Sequence, residues 1–309
     1  LMSLVLNGTT GITNLPSINS GQIGGRRNIV INGEMKVAQR ATSATGKTGG
    51  TSGYFALDRW KLQDGTIGTA GRCTIAQIAD GPAGIANCLK ISATTADTSI
   101  DAREALILQT RFEGQDLQQL KKGTSSAEQV TVSFYVKGNA AALYVCELHD
   151  VDNGRNNTQS FAVTTDWNRI ELTFAADTSD PLDDDNAVSL SLNFWLHSGS
   201  NYSGGTFASN TWADITLANT TAVANRTSIY DSTNRTFFLT GVQMEIGSTA
   251  TDFEHRSFCE EYDLCKRYYY QSYDLGVAAG TTSNAGAIMI YSITGNTFRY
   301  NIYFSPSMR

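Results

Sequence analysis

The sequence predicts an all-β protein built as a sandwich of two sheets. Short apolar segments alternate with polar residues at period two, which is typical of strands with one buried and one solvated face. About a dozen such segments follow one another, mostly through short polar connections, whereas βαβ units would need helices of about 10 to 15 residues between the strands. The 309 residues include 28 Gly and 4 Pro, and many of the glycines lie beside Asn, Ser or Thr, as expected for turns.

Composition indicates a folded chain and argues against two classes of partner. Hydrophobic residues make up 41% of the chain and charged residues 17%, a balance unlike that of disordered proteins. The net charge is −6 and the pI is about 5.1, so no broad positive field could attract a phosphate backbone, and nucleic acid is not an expected partner. No stretch reaches the roughly 18 apolar residues that a membrane span requires, so membrane insertion is not expected either.

Residues 1–27 differ from the rest of the chain. They are polar, rich in Gly, Ser and Asn, and contain no aromatic residue, so they cannot bury a core of their own. We interpret 1–27 as an N-terminal attachment and assembly arm that becomes ordered against another chain. A disordered tail fits the same sequence equally well.

Residues 28–256 carry the strand pattern and are predicted to form the sandwich. Ile29, Ile31 and Val37 are expected to begin its core. Strands are predicted at 54–62, 72–79, 88–91, 105–112, 130–137, 143–148, 160–163, 169–174, 188–196, 212–217 and 235–244. A short helix is predicted at 115–122, where Gly123 follows as a helix stop signal.

Residues 257–309 are predicted to add a longer peripheral helix and a terminal β-hairpin. Ser257 is a candidate N-cap, and Glu260 three positions later completes a capping box. The apolar and aromatic pattern extends this helix to Tyr270. The hairpin strands are predicted at 287–293 and 298–304.

Five segments carry a combined sequence motif. They are NIVINGEMKVAQR at 28–40, GYFALDRW at 53–60, LQTRFEG at 108–114, VTVSFYVKG at 130–138 and GVQMEIGSTATDFEHRSFCEEYDLCKRYY at 241–269. Together they resemble the carbohydrate-binding-module-like jelly roll of tail fibres and other structural proteins of bacteriophage particles. The resemblance implies a jelly-roll β-sandwich in a virion appendage, often trimeric, whose outer face contacts cell-surface glycans.

The expected function is therefore structural and non-enzymatic. The resemblance implies a phage virion protein, most of all a tail fibre or fibre-like appendage, that mediates particle assembly and adhesion to a host-surface glycan. It would be located in the virion and assembled in the host cytoplasm. Its expected partners are other copies of itself, as a homotrimer, and other virion tail or head proteins contacted through residues 1–27. A head decoration protein and a polysaccharide depolymerase are the alternatives.

No catalytic residue can be named from the sequence. The histidines His149, His197 and His255 are far apart and match no metal-binding spacing, and there is no GxSxG nucleophile elbow. The five cysteines are odd in number and lack CxxC spacing. They are predicted to be reduced, mostly buried thiols.

The Ser/Gly/Asn-rich loop at 198–212 is the candidate glycan-binding site. It contains Tyr202, Phe207 and Trp212, and sugars are bound by aromatic rings that stack on the pyranose face while amides bind the hydroxyl groups. Packing of these rings over the end of the sandwich is the alternative interpretation. The other tryptophans are interpreted as core or edge residues of strands: Trp60, Trp167 and Trp195.

The acidic segment at 180–186 is the candidate metal site. Asp183, Asp184 and Asp185 offer the clustered carboxylate oxygens that Ca²⁺ prefers. The segment lacks the glycine and the terminal glutamate of an EF-hand, so a solvated loop fits it as well. Apart from this structural Ca²⁺, no cofactor is expected.

Overall fold

The computed structural model describes residues 26–65, 68–274, 276–277 and 280–282, together with two short N-terminal strands. The strands are β1 (Ser17–Ile18), β2 (Gly21–Gln22), β3 (Ser43–Lys47), β4 (Lys61–Asp64), β5 (Arg72–Ile78), β6 (Cys88–Thr95), β7 (Ala105–Glu113), β8 (Val130–Gly138), β9 (Ala142–Asp150), β10 (Arg155–Val163), β11 (Asn168–Phe174), β12 (Val188–Ser198), β13 (Ala213–Asp214) and β14 (Thr236–Ile246). The helices are α1 (Ser200–Ser203) and α2 (Phe258–Lys266), with single 3₁₀ turns at Gly114–Asp116, Gln118–Leu120 and Leu217–Asn219.

Two six-stranded antiparallel sheets form a sandwich, which confirms the predicted all-β fold. The front sheet has the strand order β13-β10-β9-β12-β7-β4, and the back sheet has the order β11-β8-β14-β6-β5-β3. The chain crosses repeatedly between them: β7 belongs to the front sheet, β8 to the back sheet and β9 to the front sheet again. Jelly-roll sandwiches connect their strands in this way.

The hydrophobic core lies between the two sheets. Alternate residues of β12, among them Leu192 and Phe194, face the core, as do Val132 and Phe134 of β8. The rings of Phe134 and Phe194 meet edge to face, with centroids 5.0 Å apart and an interplanar angle of 85°. This geometry is favourable for aromatic pairs, and here it joins the front sheet to the back sheet.

The opening segment of the sandwich is irregular, and its inward-facing residues differ from the prediction. Val37 is buried as expected, but Ile29 and Ile31 are only half-buried, and Val30 occupies the core position instead. The side chain of Asn28 causes the difference, because its Oδ1 accepts a hydrogen bond of 3.0 Å from the backbone N–H of Val30. This local turn holds the chain out of a regular strand.

The strand predicted at 54–62 is reduced to β4, which begins only at Lys61. Arg59 has a φ of 72°, a left-handed conformation that an extended strand does not allow. Trp60 is nevertheless fully buried. Its indole N–H donates a hydrogen bond of 3.0 Å to the backbone oxygen of Asn32, which fixes this irregular segment to the opening one.

The short helix predicted at 115–122 is replaced by two 3₁₀ turns. Leu117 and Leu120 are both buried, and residues three apart lie on the same side of a 3₁₀ turn. Lys121 ends the second turn with a φ of 50°. Burial of the two leucines therefore selects the tighter turn over an α-helix.

Helix α2 begins as predicted but ends early. The Oγ of Ser257 accepts a hydrogen bond of 3.3 Å from the backbone N–H of Glu260, which confirms the N-cap. The helix ends at Lys266 and does not extend to Tyr270.

Cation–π contacts account for the early end of α2. The guanidinium of Arg59 lies 3.5 Å from the ring centroid of Tyr268, and that of Arg40 lies 3.6 Å from the ring centroid of Tyr269. These contacts hold both tyrosine rings against the sandwich, while the backbone N–H groups of Tyr268 and Tyr269 both donate to the carbonyl oxygen of Cys265 and close the last turn.

All five cysteines are free, and four of them are buried, as the sequence predicted. None of the helices in the described part of the chain has the length and hydropathy needed to cross a membrane. The predicted terminal hairpin lies outside the described residues, as does most of the arm at 1–27.

Candidate functional site

The outer face of the front sheet carries an apolar cluster that is separate from the core. Its buried members are Ala105, Val145 and Trp195, and its half-buried members are Ile107, Tyr202, Phe207 and Val223. The alternation along β12 explains the cluster: Phe194 faces the core, so its neighbour Trp195 must project from the opposite face. The segment after β12 then folds back and packs Tyr202 and Phe207 onto this indole.

A hydrogen-bonded network lies beside this cluster and is centred on Glu147 of β9. One carboxylate oxygen accepts hydrogen bonds from the indole N–H of Trp195 at 2.7 Å and the amide of Asn193 at 2.8 Å. The other oxygen accepts one from the amide of Asn156 at 2.8 Å. Because all four side chains are less than a tenth exposed, these contacts fix the orientation of both amides and the indole.

The network continues across the sheet from Asn193 to a cation. The amide of Gln109 donates to Asn193 at 2.8 Å, and the Nε of Arg111 donates to Gln109 at 2.6 Å. Burial, followed by the charge of Arg111, lowers the pKa of Lys61, which pairs with this strand from β4. One end of the network is therefore cationic, and its centre is a carboxylate.

A cleft of about 280 Å³ opens onto these groups. Its floor comes from β4, β7, β9 and β12, and its wall comes from Ile215, Leu217 and Thr220. A second cleft of about 280 Å³ adjoins it, since Gln63, Ile107 and Trp195 line both, and Tyr202 closes its far side. Side by side, the two form a groove lined by an indole, a phenol, an imidazole, amides, a guanidinium and two carboxylates, Glu147 and Asp64. We call this surface the front-face groove.

The structure brings one of the three predicted glycan-binding residues, Tyr202, into the lining of this groove and a second, Phe207, into the apolar cluster beside it. Tyr202 lies with its ring centroid 5.2 Å from that of Trp195, and Phe207 joins the same cluster. Trp212 does not join them. Its indole N–H donates to the backbone oxygen of Ala175 at 2.8 Å, and its ring packs against the main core.

Sequence reasoning missed the residues that form the floor of the groove. Trp195 was interpreted as a core or edge residue, but it lies on the outer face of a central strand. The alternation of buried and outward-facing residues along β12 could have identified two of them. Once the apolar series through Phe194 is assigned to the core, the intervening Asn193 and Trp195 must share the other face. The contribution of Glu147 from β9 could not be found in this way, because strand order is not encoded by periodicity.

The predicted metal ligands Asp183, Asp184 and Asp185 are exposed. The Oδ1 of Asp185 accepts a hydrogen bond of 2.8 Å from the backbone N–H two residues later. Within the described residues, the one group of three potential metal ligands with donor atoms within 4.8 Å of one another lies elsewhere. It consists of Asp97, Glu104 and His197.

A further cleft of about 260 Å³ lies where α2 meets the sandwich. Arg40 and Arg59 line it, but both guanidinium groups are stacked on tyrosine rings. Arg40 also contacts a carboxylate oxygen of Asp58 at 3.2 Å. These side chains are engaged in holding α2, so the front-face groove is the better candidate for ligand binding.

Known structures with a similar fold include carbohydrate-binding modules and a phage protein. The family 11 module of the cellulosomal cellulase Lic26A-Cel5E of Clostridium thermocellum has a TM-score of 0.32 at 13% identity, covering 69% of this chain and 100% of that module. A family 30 carbohydrate-binding module has a TM-score of 0.33 at 11% identity, covering 72% and 92%.

The enzymatically active domain of tailspike protein 4 of bacteriophage CBA120 has a TM-score of 0.31 at 12% identity, covering 61% of this chain and 19% of that one. All of these similarities are distant. No protein-family model matches the sequence, and no curated protein matches it.

Proposed function

We propose that this protein is a non-enzymatic structural protein of a phage particle, a tail fibre or fibre-like appendage, that adheres to host-surface glycan through the front-face groove. The observation that supports glycan binding is the network around Glu147. It holds the Trp195 indole, two amides and a carboxylate on the outer face of a rigid sheet. An aromatic surface beside fixed donors and acceptors is the combination that sugar recognition needs, since a pyranose has both an apolar face and a rim of hydroxyl groups.

The cationic end of the groove suits a glycan that carries an acidic sugar. Arg111 lines that end, and Lys61 lies beside it on β4, where the two could pair with a sugar carboxylate. The groove at Glu147 is better suited to neutral hydroxyl groups, because a carboxylate accepts hydrogen bonds and repels another carboxylate.

A binding role is preferred to depolymerisation because of the carboxylates along the groove. Glycoside hydrolysis usually needs a pair about 5 to 10 Å apart on opposite sides of the scissile bond. Of the described residues, the groove is lined by two carboxylates, Glu147 and Asp64. The oxygens of Glu147 are engaged by side-chain N–H donors, and those of Asp64 are engaged by the backbone N–H groups of Gly50 and Gly65. Both carboxylates are therefore held as acceptors for positioning.

Glycan binding is tested with the full chain on arrays of neutral and acidic bacterial surface polysaccharides. We expect Tyr202→Ala to weaken binding about tenfold or more, because it removes the ring that closes one side of the groove, and tenfold corresponds to about 1.4 kcal/mol. Trp212→Phe is the matched control, since that indole lies outside the groove, and it should bind like the parent. Equal binding by folded Tyr202→Ala and parent, or no binding by the parent, would contradict the proposal. Cleavage of a bound polysaccharide would select the depolymerase.

The virion assignment is tested independently of glycan binding. Mass spectrometry of purified particles should detect the chain, and labelled antibody should place it on the tail. Labelling of tailless heads would select a head decoration protein, and absence from particles would exclude a virion role altogether.

A further inference from the structure

Three buried side chains with metal-binding atoms converge at one end of the sandwich, outside the front-face groove. Asp97 follows β6, Glu104 immediately precedes β7, and His197 lies near the end of β12. Each is at most 5% exposed, and their ligand atoms all lie within 4.8 Å of one another. The β7–β12 ladder brings two of them together, because His197 pairs with Leu106, two residues after Glu104.

The imidazole of His197 presents an unpartnered nitrogen to this cluster. Its Nδ1 is 2.7 Å from the Oγ of Ser228, and the ring of Tyr230 packs against it edge-on with centroids 5.3 Å apart. These contacts fix the ring and direct its Nε2 towards Glu104. The Nε2 is buried and has no hydrogen-bond partner.

The spacing of Nε2 and Glu104 fits two ligands of one metal ion. The nitrogen lies 3.5 Å from Oε2 of Glu104, which is long for an N–H···O hydrogen bond. Two ligand atoms in a tetrahedral Zn²⁺ site, each bonded at about 2.0 to 2.2 Å, are about 3.4 Å apart. The observed separation therefore matches a bridging cation better than a direct contact.

The two carboxylates also lack a cationic partner. Across the described residues, the ion-pair contact that involves either of them is the one between Glu104 and His197. Arg226, the nearby cation, donates to the Oγ of Ser198 at 3.2 Å. Buried carboxylates without a paired charge are costly, and a bound cation would remove that cost.

Hydrogen bonds from the surrounding loops orient Asp97 as a ligand. Its Oδ2 accepts from the hydroxyl of Thr69 at 2.8 Å and from the backbone N–H of Ala70 at 2.9 Å, and its Oδ1 accepts from Ser99 at 3.2 Å. Bonds of this kind around a metal centre fix its ligands and tune their affinity. The hydroxyl of Ser228 orients His197 in the same way, through its contact with Nδ1.

We propose that Asp97, Glu104 and His197 bind one divalent transition-metal ion of the Zn²⁺ class. The imidazole selects this class, because Ca²⁺ and Mg²⁺ prefer shells made of oxygen alone, whereas Zn²⁺ accepts both nitrogen and carboxylate oxygen. Three protein ligands leave a fourth position for water. The ion would tie the connection between β6 and β7 to β12 and so brace this end of the sandwich.

The proposal is tested on the full chain after dialysis against a chelator. Isothermal titration with Zn²⁺ and native mass spectrometry should show one ion per chain, and Zn²⁺ should raise the melting temperature. Glu104→Gln and His197→Gln, which keep the side-chain sizes similar, should weaken Zn²⁺ binding at least about tenfold. The matched control is Glu128→Gln, which alters an exposed carboxylate outside the cluster and should leave Zn²⁺ binding unchanged.

The competing occupant is a proton shared between Asp97 and Glu104. In that case the parent would bind no Zn²⁺ beyond the level of Glu104→Gln, and the proposal would be overturned. Binding of Ca²⁺ in preference to Zn²⁺ would overturn the metal class. If a variant fails to fold, anomalous scattering at the zinc edge from parent crystals soaked in Zn²⁺ decides the question. A peak at the Nε2 of His197 supports the site, and a map without one excludes it.

Discussion

Glu113 is a fully buried carboxylate at the end of β7, and it joins the sandwich to the segment just after α2. Arg267, just after α2, donates to both of its oxygens, with Nε at 3.1 Å and Nη2 at 2.7 Å. The amide of Gln115 adds a hydrogen bond of 2.6 Å. Burial on its own would raise the pKa of Glu113, but the hydrogen bonds from Arg267, Tyr268 and Gln115 outweigh it, and the pKa lies below its usual 4.5.

The lowered pKa predicts a pH-dependent stability. A carboxyl group whose pKa is lower in the folded state stabilises the protein above its unfolded pKa, and that contribution disappears as the pH falls through the folded value. We expect Glu113→Gln to reduce the free energy of unfolding by about 2 kcal/mol at pH 7. The difference from the parent should narrow as the pH falls below the ordinary glutamate pKa of 4.5. Urea denaturation at pH 7 and pH 3 measures both.

The exposed pair of Lys121 and Glu128 provides the control. These side chains are 52% and 38% exposed, so Glu128→Gln should change stability by less than about 1 kcal/mol. A penalty for Glu113→Gln that is the same at both pH values would show that the ion pair is not its source.

At the scale of elements, α2 is held by its aromatic end more than by its own helical propensity. The contact between Arg40 and Tyr269 stacks a cation on a ring at 3.6 Å. Replacing Tyr269 by Ala should cost about 1 to 2 kcal/mol, measured by urea denaturation. Tyr269→Phe keeps the ring and should cost much less. If Phe is as damaging as Ala, the phenol hydroxyl, and not the stacking, holds this segment.

The elements that the sequence predicted well are those whose burial is periodic. The predicted strand at 188–196 is observed as β12, Val188–Ser198, because alternation between two faces is a local property. The predicted end of α2, at Tyr270, was wrong because the residues that hold the segment after Lys266 are Arg59 and Arg40. They lie about 210 to 230 residues upstream and cannot be read from the local pattern. The ligands of the proposed metal site were missed for the same reason, since only strand pairing brings His197 to Glu104.

At the scale of the whole molecule, the expected homotrimer and the role of the N-terminal arm remain predictions. Among the described residues the buried core begins at Val30, and residues 1–27 contain no aromatic residue. Deletion of residues 1–25 should therefore leave the melting temperature within about 2 °C of the parent, about the shift that a 1 kcal/mol change produces. The deletion should lower the oligomeric state. Light scattering of both forms tests this, and a full-length chain that is monomeric at micromolar concentration would refute it.

The hydrogen bond between Trp195 and Glu147 also makes the front-face groove observable without a label. The emission of an indole shifts with the polarity around it and with the hydrogen bond on its nitrogen. Trp60 is sealed in the core, Trp167 packs on Phe238 of the back sheet, and Trp212 is held by the backbone outside the groove, so none of these three should respond to a ligand there. Trp195 is thus an intrinsic fluorescent reporter. A ligand-induced change in tryptophan emission that persists in Trp212→Phe would follow occupancy of the groove in real time.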